Sequence, residues 1–208
     1  MDELILSQAT LLDVCRTEKV KSASSYICGM LMPTLLWAWN AKNVLEIGVY
    51  RGYTSLVLGM QLEMMGGERN LWLSDIDRDR VNHSLELLHT YAPNVNVIGI
   101  YGDSRGVDWS AKAAFDFAYI DGNHSYRSAK ADLGKVLPAM AERSAVLVHD
   151  YTQPHHMGVV QAVNETVAND PSWNMIPIPA QTGKPVALIA RAVPGGLDYL
   201  RKSGEMEV

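Results

Sequence analysis

From Asn43 onward, short apolar runs alternate with segments of helical periodicity, and this alternation limits the fold more than any other feature of the chain. Such an order is typical of an α/β domain in which helices cover both faces of a mostly parallel sheet. It predicts seven strands, at 43–47, 71–75, 95–101, 115–121, 144–149, 175–178 and 186–191. It predicts helices near 53–65, 78–91, 125–140 and 157–169. Four prolines near the end of this region predict that the last two strands form an antiparallel, hairpin-like addition.

The size and charge of the chain narrow its organisation and its partners. Its 208 residues suit one domain with a large core. Residues 1–42 are predicted to form an N-terminal helical segment of that domain, residues 43–196 its main part and residues 197–208 a frayed tail. A net charge of −5, without clustered Lys and Arg, argues against nucleic acid as the main partner. Only two cysteines and no basic n-region at the N-terminus predict a reduced cytoplasmic protein.

Residues 22–40 form an uncharged stretch of 19 residues, which is close to the length of a membrane span. Three serines, an asparagine and Pro33 interrupt it. Two buried or interface helical pieces are therefore predicted in place of a membrane span. Because the segment is apolar and aromatic, a homo-oligomer is expected.

Polar residues follow the first five predicted strands, and carboxylates recur among them. In an open α/β sheet, ligands bind beyond the carboxyl ends of the strands. A scaffold without a ligand has no reason to gather so many acidic groups at one edge. The ends read Glu46-Ile47-Gly48, Ser74-Asp75, Gly102-Asp103-Ser104, Asp121-Gly122-Asn123-His124 and His149-Asp150.

The turn after the first strand, in NVLEIGVYRGYTSL, carries Gly48 and Gly52 four residues apart. A dinucleotide fingerprint would need glycines at positions 50 and 53, and both are tyrosines. The Tyr50 side chain would obstruct a pyrophosphate, and Glu46 adds negative charge, so NAD and FAD are disfavoured. A phosphate-free nucleoside with a cationic end, such as S-adenosylmethionine (SAM), suits the turn better.

Two further strand ends fit such a nucleoside. Asp75, at the end of LWLSD, is placed to accept hydrogen bonds from both ribose hydroxyls. Asp103 and Ser104, in YGDS, could meet the amino group and ring nitrogens of adenine. Each signal alone is also compatible with an ordinary turn residue. The order of the three motifs is more specific than any one of them.

This combination resembles the class I SAM-dependent methyltransferases, and within them the small-molecule O-methyltransferases grouped with macrolide-sugar methyltransferases and cephalosporin hydroxylase-type enzymes. The similarity covers about residues 40–192, through VLEIGVYRGYTSL, SDID, GDS, FDFAYIDGNHSY and LVHDY…GVVQAV. It implies a Rossmann-like, doubly wound, seven-stranded sheet whose last strand is antiparallel, and a methyltransferase domain over 43–196. The resemblance and the strand ends together give the expected cofactor contacts as Glu46, Gly48, Tyr50, Gly52, Thr54, Asp75, Asp103, Ser104 and Asp121.

The fourth and fifth strand ends carry residues suited to proton removal and metal binding. Adjacent strands lie about 4.8 Å apart, so Asp121 and Asp150 can share a Mg²⁺ or Mn²⁺ ion that would bind and orient a substrate hydroxyl. The resemblance implies that Asp121 is a metal ligand, that His124 is the general base, and that an acidic pair after the fifth strand completes the metal site. His149 occupies the first position of that pair. Imidazole there favours Mn²⁺ or Zn²⁺ over Mg²⁺, or leaves no metal.

The expected activity is therefore SAM-dependent methylation of a small-molecule hydroxyl with the help of a divalent metal. Two alternatives stay open: a nicotinamide oxidoreductase on a similar sheet, and a non-catalytic cofactor-binding or assembly subunit. His124 could instead cap the following helix. His155 and His156 are expected in an exposed loop. Sugars, phenols, polyketides and peptides all remain open as acceptors.

Overall fold

A computed structural model describes residues 8–18, 20, 26–151, 156–179 and 185–191. Within these residues the chain forms six α-helices and seven strands. The helices are α1 (Gln8–Thr17), α2 (Tyr26–Trp39), α3 (Tyr53–Met65), α4 (Arg78–Tyr91), α5 (Tyr126–Val136) and α6 (Met157–Ala168). The strands are β1 (Asn43–Ile47), β2 (Asn70–Asp75), β3 (Asn96–Tyr101), β4 (Phe115–Ile120), β5 (Met140–Val148), β6 (Trp173–Ile178) and β7 (Val186–Arg191).

All seven strands belong to one sheet, in the order β3-β2-β1-β4-β5-β7-β6. The pairs among β1 to β5 are parallel, whereas β7 runs antiparallel to both β5 and β6. The predicted Rossmann-like sheet with an antiparallel last strand is confirmed. Six of the seven strands consequently point their carboxyl ends toward the same edge.

The apolar runs form strands here because helices cover both faces of the sheet. Val44 packs into a core with α1 to α4, while Leu45 and Ile47 pack into a second core with α5 and α6. Successive side chains of a strand point to opposite faces, so a strand covered on both sides is apolar along most of its length. β1 accordingly lies in the interior of the sheet, between β2 and β4.

The boundary between α5 and β5 differs from the sequence-based prediction. The helix ends at Val136, and a 3₁₀ turn at Leu137–Ala139 leads directly into β5, which begins at Met140. Pro138 explains the difference, because proline lacks the N–H group that would continue the helical hydrogen bonds and its ring clashes with the carbonyl four residues before it. The predicted tail at 197–208 lies outside the described residues.

The prediction of two helical pieces within residues 22–40 is wrong, because α2 runs through Pro33 as one helix. Proline inside a helix costs about 3 kcal/mol. Burial of Met32, Leu35 and Leu36 against α3 and the sheet outweighs that cost, since each apolar side chain contributes about 1.5–3 kcal/mol. In the part of the chain that the structure describes, no helix is long and apolar enough to cross a membrane.

Candidate active site

A cavity of about 560 Å³ opens at the carboxyl ends of β1 to β4, a volume within the range of small-molecule sites. Eight of the predicted cofactor and catalytic residues line it: Gly48, Tyr50, Thr54, Asp75, Asp103, Ser104, Asp121 and His124. The other four, Glu46, Gly52, His149 and Asp150, are not among its lining residues. The sheet edge therefore brings the strand ends together, with some of the predicted residues on the wall of the cavity and others behind it.

The turn at Gly48 lies directly against the loop that follows β4. Gly48 has a φ of 91°, which L side chains rarely adopt. A Cβ atom at this position would lie 2.1 Å from the carbonyl oxygen of Asp121. Glycine is therefore required here, because only a backbone without a side chain lets the two loops touch.

Asp75 accepts three hydrogen bonds from backbone amides, two of them from this turn. Its Oδ2 accepts from the N–H groups of Val49 and Tyr50, at 3.0 and 3.2 Å, and its Oδ1 accepts from that of Asp77 at 2.9 Å. A carboxylate offers about four lone-pair positions. Roughly one therefore remains for a ligand, where the sequence predicted contacts to two hydroxyl groups.

Tyr50 stands at the mouth of the cavity in a left-handed conformation, with a φ of 48°. The guanidinium carbons of Arg51 and Arg80 lie 5.2 and 5.3 Å from the centre of its ring, within the range of cation–π contacts. Arg80 also lies 3.2 Å from Asp77. The mouth consequently carries two guanidinium groups, one of them paired with a carboxylate, which sequence reasoning did not anticipate.

Two residues follow β3 at the cavity: Asp103, whose carboxylate is already paired, and Ser104, which binds a second carboxylate. Asp103 caps the short turn at Ser104–Gly106, and hydrogen bonds from Arg105 hold its pKa at about 2. Ser104 donates a hydrogen bond of 2.6 Å to Oδ1 of Asp132, which also lines the cavity. Sequence reasoning missed Asp132. The sequence feature that could have identified it is an acidic residue on the otherwise apolar face of α5, next to Leu133.

Glu46 is completely buried beneath the cavity. The hydroxyl of Ser55 donates to its Oε2 at 2.6 Å, and its Oε1 has no hydrogen-bond partner among the described residues. Burial raises the pKa of Glu46 well above its ordinary value, with a smaller contribution from the charges of Asp121 and Asp75. Burial therefore favours the neutral acid at Glu46 more than it would at an exposed glutamate.

The ends of β4 and β5 bring together the three predicted metal ligands. Nδ1 of His149 lies 3.0 Å from Oδ1 of Asp121 and 3.4 Å from Oδ1 of Asp150. Both His149 and Asp150 are buried, and Nε2 of His149 has no hydrogen-bond partner among the described residues. Asp150 has a φ of 58°, an uncommon conformation that turns up at functional sites.

His124 joins this cluster from the loop before α5. Its Nε2 lies 3.2 Å from both Oδ1 of Asp121 and Oδ2 of Asp150. Burial alone would raise the pKa of Asp121, but hydrogen bonds from His124 and His149 outweigh it, and the pKa is lowered. The side chain of Ser125 caps α5, so His124 does not serve as the cap.

His156 was expected in an exposed loop, and this expectation is wrong. Its Nε2 lies 3.4 Å from Oδ2 of Asp150, and its ring centre is 4.2 Å from that of His124. The residue belongs to the cluster because α6 begins directly after it. His155 lies outside the described residues. The HDY…HH pattern, with histidines a few residues beyond a strand-end carboxylate, was the signal that could have identified His156.

The cluster has the composition of a metal site. Two groups of three side chains have donor atoms within 4.8 Å of one another: Asp121, His149 and Asp150, and His124, Asp150 and His156. Donor atoms on one ion, each about 2.1 Å from it, lie roughly 3 Å apart, which resembles the spacing here. The set can hold a divalent ion or share protons, and the metal stays a prediction.

A family model described as a methyltransferase domain matches residues 45–151. Among curated relatives, the chain is 33% identical over 86 residues to a tapetum-specific methyltransferase of Arabidopsis thaliana, covering 39% of this chain and 36% of that protein. It is 30% identical over 100 residues to another Arabidopsis thaliana protein, provisionally named a caffeoyl-CoA O-methyltransferase, covering 47% of this chain and 42% of that protein. The chain thus spans less than half the length of either relative.

Solved structures share the fold at low sequence identity. An SAH-bound methyltransferase of Podospora anserina superposes with a TM-score of 0.70 at 17% identity, covering 91% of this chain and 90% of that one. An O-methyltransferase of Streptomyces achromogenes, in complex with SAM and involved in tomaymycin synthesis, gives a TM-score of 0.64 at 20% identity, covering 92% of both chains. These likenesses show that the fold of the whole sheet is shared.

The buried acid at Glu46 generates a prediction about stability. Its folded-state pKa lies above its unfolded-state value, so the stability that it contributes is present below about pH 4.5 and is lost as the pH rises through the folded pKa. We expect Glu46→Gln to remove this loss of stability at higher pH. The free energy of unfolding of the variant relative to wild type should therefore increase with pH, as measured by urea denaturation between about pH 4.5 and 8.

The matched control is Glu142→Gln, which changes an exposed carboxylate at the opposite end of β5. Its stability relative to wild type should change little with pH. A constant difference between Glu46→Gln and wild type across the same range would contradict a raised pKa at Glu46.

Proposed function

The chain belongs to the methyltransferase domain family, and we propose that it transfers the methyl group of SAM to a hydroxyl group of a small molecule, with the help of a divalent metal. The observation that carries the proposal is the arrangement at one sheet edge. A cavity of about 560 Å³ runs from the Asp75 end of β2 to Asp121 and His124 after β4. One part of this cavity suits a nucleoside, and the adjoining part holds residues suited to proton transfer.

The chemistry of the first part of the cavity supports cofactor binding. The remaining lone pair of Asp75 would accept a hydrogen bond from a ribose hydroxyl. Ile76, which follows Asp75 and is 76% exposed on the cavity wall, offers an apolar surface for the plane of the adenine ring. Tyr53 and Thr54 begin α3 at the cavity, so the positive end of this helix would attract the methionine carboxylate.

The second part supplies the groups for the reaction. Bound SAM supplies an electrophilic methyl group on a sulfonium leaving group. His124 would take the proton from the acceptor hydroxyl on its imidazole ring. The imidazolium that forms is stabilised by Asp121 and Asp150, whose carboxylate oxygens lie 3.2 Å from Nε2 of His124.

Asp121, His149 and Asp150 would hold the divalent ion. Two carboxylates and one imidazole form a donor set for a borderline ion such as Mn²⁺ more than for Mg²⁺, which prefers oxygen throughout. The ion would act as a Lewis acid that lowers the pKa of the acceptor hydroxyl. The buried positions of His149 and Asp150 suit this role, because buried charges need a partner.

The proposal extends to the setting of the protein. Cys15 is a free and buried thiol, in keeping with a cytoplasmic protein. Met30 and Trp37 expose apolar surface along α2, in keeping with a homo-oligomer.

Cofactor binding is the first test of the proposal. At about 100 times its dissociation constant, S-adenosylhomocysteine (SAH) should stabilise the wild type by roughly 2.7 kcal/mol, whereas NADH should have no effect. Asp75→Asn should bind SAH about ten- to a hundredfold more weakly, because the ribose hydroxyl loses a charged acceptor. The measurement is the shift of the melting midpoint on addition of each ligand.

The control for this experiment is Glu86→Gln, an exposed carboxylate on α4 away from the cavity, which should keep the full shift. The proposed function fails if SAH leaves the wild-type midpoint unchanged at millimolar concentration. A shift produced by NADH in place of SAH would favour the oxidoreductase.

The metal can be tested without knowing the acceptor. After treatment with EDTA, the wild type should bind Mn²⁺ at least about tenfold more tightly than Mg²⁺, as followed by paramagnetic resonance of Mn²⁺ with Mg²⁺ as competitor. His149→Asp places a third carboxylate in the site and should narrow this preference. Absence of Mn²⁺ binding at millimolar concentration, or an unchanged preference in the variant, would count against this set of ligands.

The general base can be tested once screening of sugar, phenol and polyketide hydroxyls yields an acceptor. His124→Gln should lower kcat by about 10²- to 10⁴-fold while SAH affinity changes little, because the change removes proton transfer and not the cofactor contacts. The rate of SAH formation is the measurement. His89→Gln, an exposed histidine at the end of α4, should behave as wild type. Equal rates in both variants would exclude His124 as the base.

A further inference from the structure

Asp132 is an acidic residue on a helix face that otherwise packs against the sheet. Its neighbours on this face, Ala129, Leu133 and Val136, belong to the apolar core between α5, α6 and the sheet. Asp132 itself is only 3% exposed, yet it lines the cavity. Burial of a carboxylate is costly unless a partner compensates it. A group that compensates the buried carboxylate of Asp132 is therefore expected.

Among the described residues, one oxygen of Asp132 has a hydrogen-bond partner and the other has none. Its Oδ1 accepts a hydrogen bond from the hydroxyl of Ser104, at 2.6 Å. Among the described residues none donates a hydrogen bond to Oδ2. A Cβ atom on Gly122 would lie 3.3 Å from this oxygen, so the absent side chain leaves space beside it. A buried acceptor is thus held in place by Ser104 and remains accessible from the cavity.

The other carboxylate at this end of the cavity is occupied. Asp103 accepts hydrogen bonds from both the backbone and the guanidinium of Arg105. Burial, in contrast, raises the pKa of Asp132. In its ionised form Asp132 can only accept hydrogen bonds, and Oδ2 is the acceptor left without a donor in the described part of the chain. The exocyclic amino group of adenine is such a donor, and a hydrogen bond from it would offset the effect of burial on the carboxylate.

We infer that Asp132, and not Asp103, recognises the exocyclic amino group of the adenine ring, with Ser104 fixing the direction of the carboxylate. The inference rests on the proposed function, since it concerns the base of the same cofactor. The ring would extend from the ribose end at Asp75, along Ile76, to the wall formed by Ser104 and Asp132. Asp132 would thereby decide which purine the site accepts.

The test compares SAH with its 6-oxo analogue, S-inosylhomocysteine, by titration calorimetry on the full chain. The analogue replaces the amino group by a carbonyl oxygen, which cannot donate to Asp132. Wild type should bind it about ten- to a hundredfold more weakly than SAH. In Asp132→Asn the side-chain amide can donate to the carbonyl, so the ratio of the two affinities should fall to about threefold or reverse. Glu142→Gln, an exposed carboxylate far from the cavity, should keep the wild-type ratio.

The outcomes separate this inference from the proposed function. Failure of wild type to bind SAH removes the proposed function. If wild type binds SAH but Asp132→Asn weakens both ligands equally, Asp132 is only structural and the inference is overturned. It is also overturned if Asp103→Asn, and not Asp132→Asn, removes the discrimination. The N6,N6-dimethyl analogue of SAH tests wild type alone, should a variant not fold. It should bind at least about tenfold more weakly than SAH, and equal binding would overturn the inference.

Discussion

The backbone hydrogen bonds at the carboxyl edge of the sheet are the constraint on which the site depends. The amide of Asp121 donates to the carbonyl of Ile47 at 2.8 Å, and that of His149 donates to the carbonyl of Ile120 at 3.0 Å. The amide of Gly48 donates to Ser74 in the same way. Each bond joins the residue directly after one strand to the end of its neighbour. The parallel register therefore sets which residues stand next to one another, before any side-chain contact is considered.

This alignment gathers charges that the fold must then compensate. Two carboxylates and three imidazoles meet within a few ångströms, and two of the five side chains, His149 and Asp150, are buried. Removing such groups from water is costly unless each is paired. Burial alone would raise the pKa of Asp121, but hydrogen bonds from His124 and His149 outweigh it, so the ionised carboxylate is favoured at this position. A divalent ion in the same place would serve the same electrostatic purpose, and for this reason the cluster is suited to a metal.

The sheet was predictable from the sequence, because doubly buried strands leave continuous apolar runs and their ends leave polar residues. The strand-end part of the site followed from the same pattern. Asp132 lies on α5, and His156 directly precedes α6. Both were missed because the periodicity of the strands does not predict how helices pack against the sheet. Glu46 is buried, and the sequence alone could not show whether its carboxylate lies in the cavity or beneath it. Pro33 stayed inside α2 because tertiary burial outweighed the local preference.

The contact between Gly48 and Asp121 joins the proposed cofactor and catalytic parts of the cavity. Because these two residues directly follow adjacent strands, the position of a cofactor bound there relative to His124 would be set by the sheet and by the start of α5. Elements outside the sheet edge can then vary without moving the reacting groups, which is how one fold serves many substrates. Chemistry and acceptor choice are consequently separable in this architecture. Changes at the sheet edge should affect the chemistry, and changes in the elements beyond it should affect the choice of acceptor.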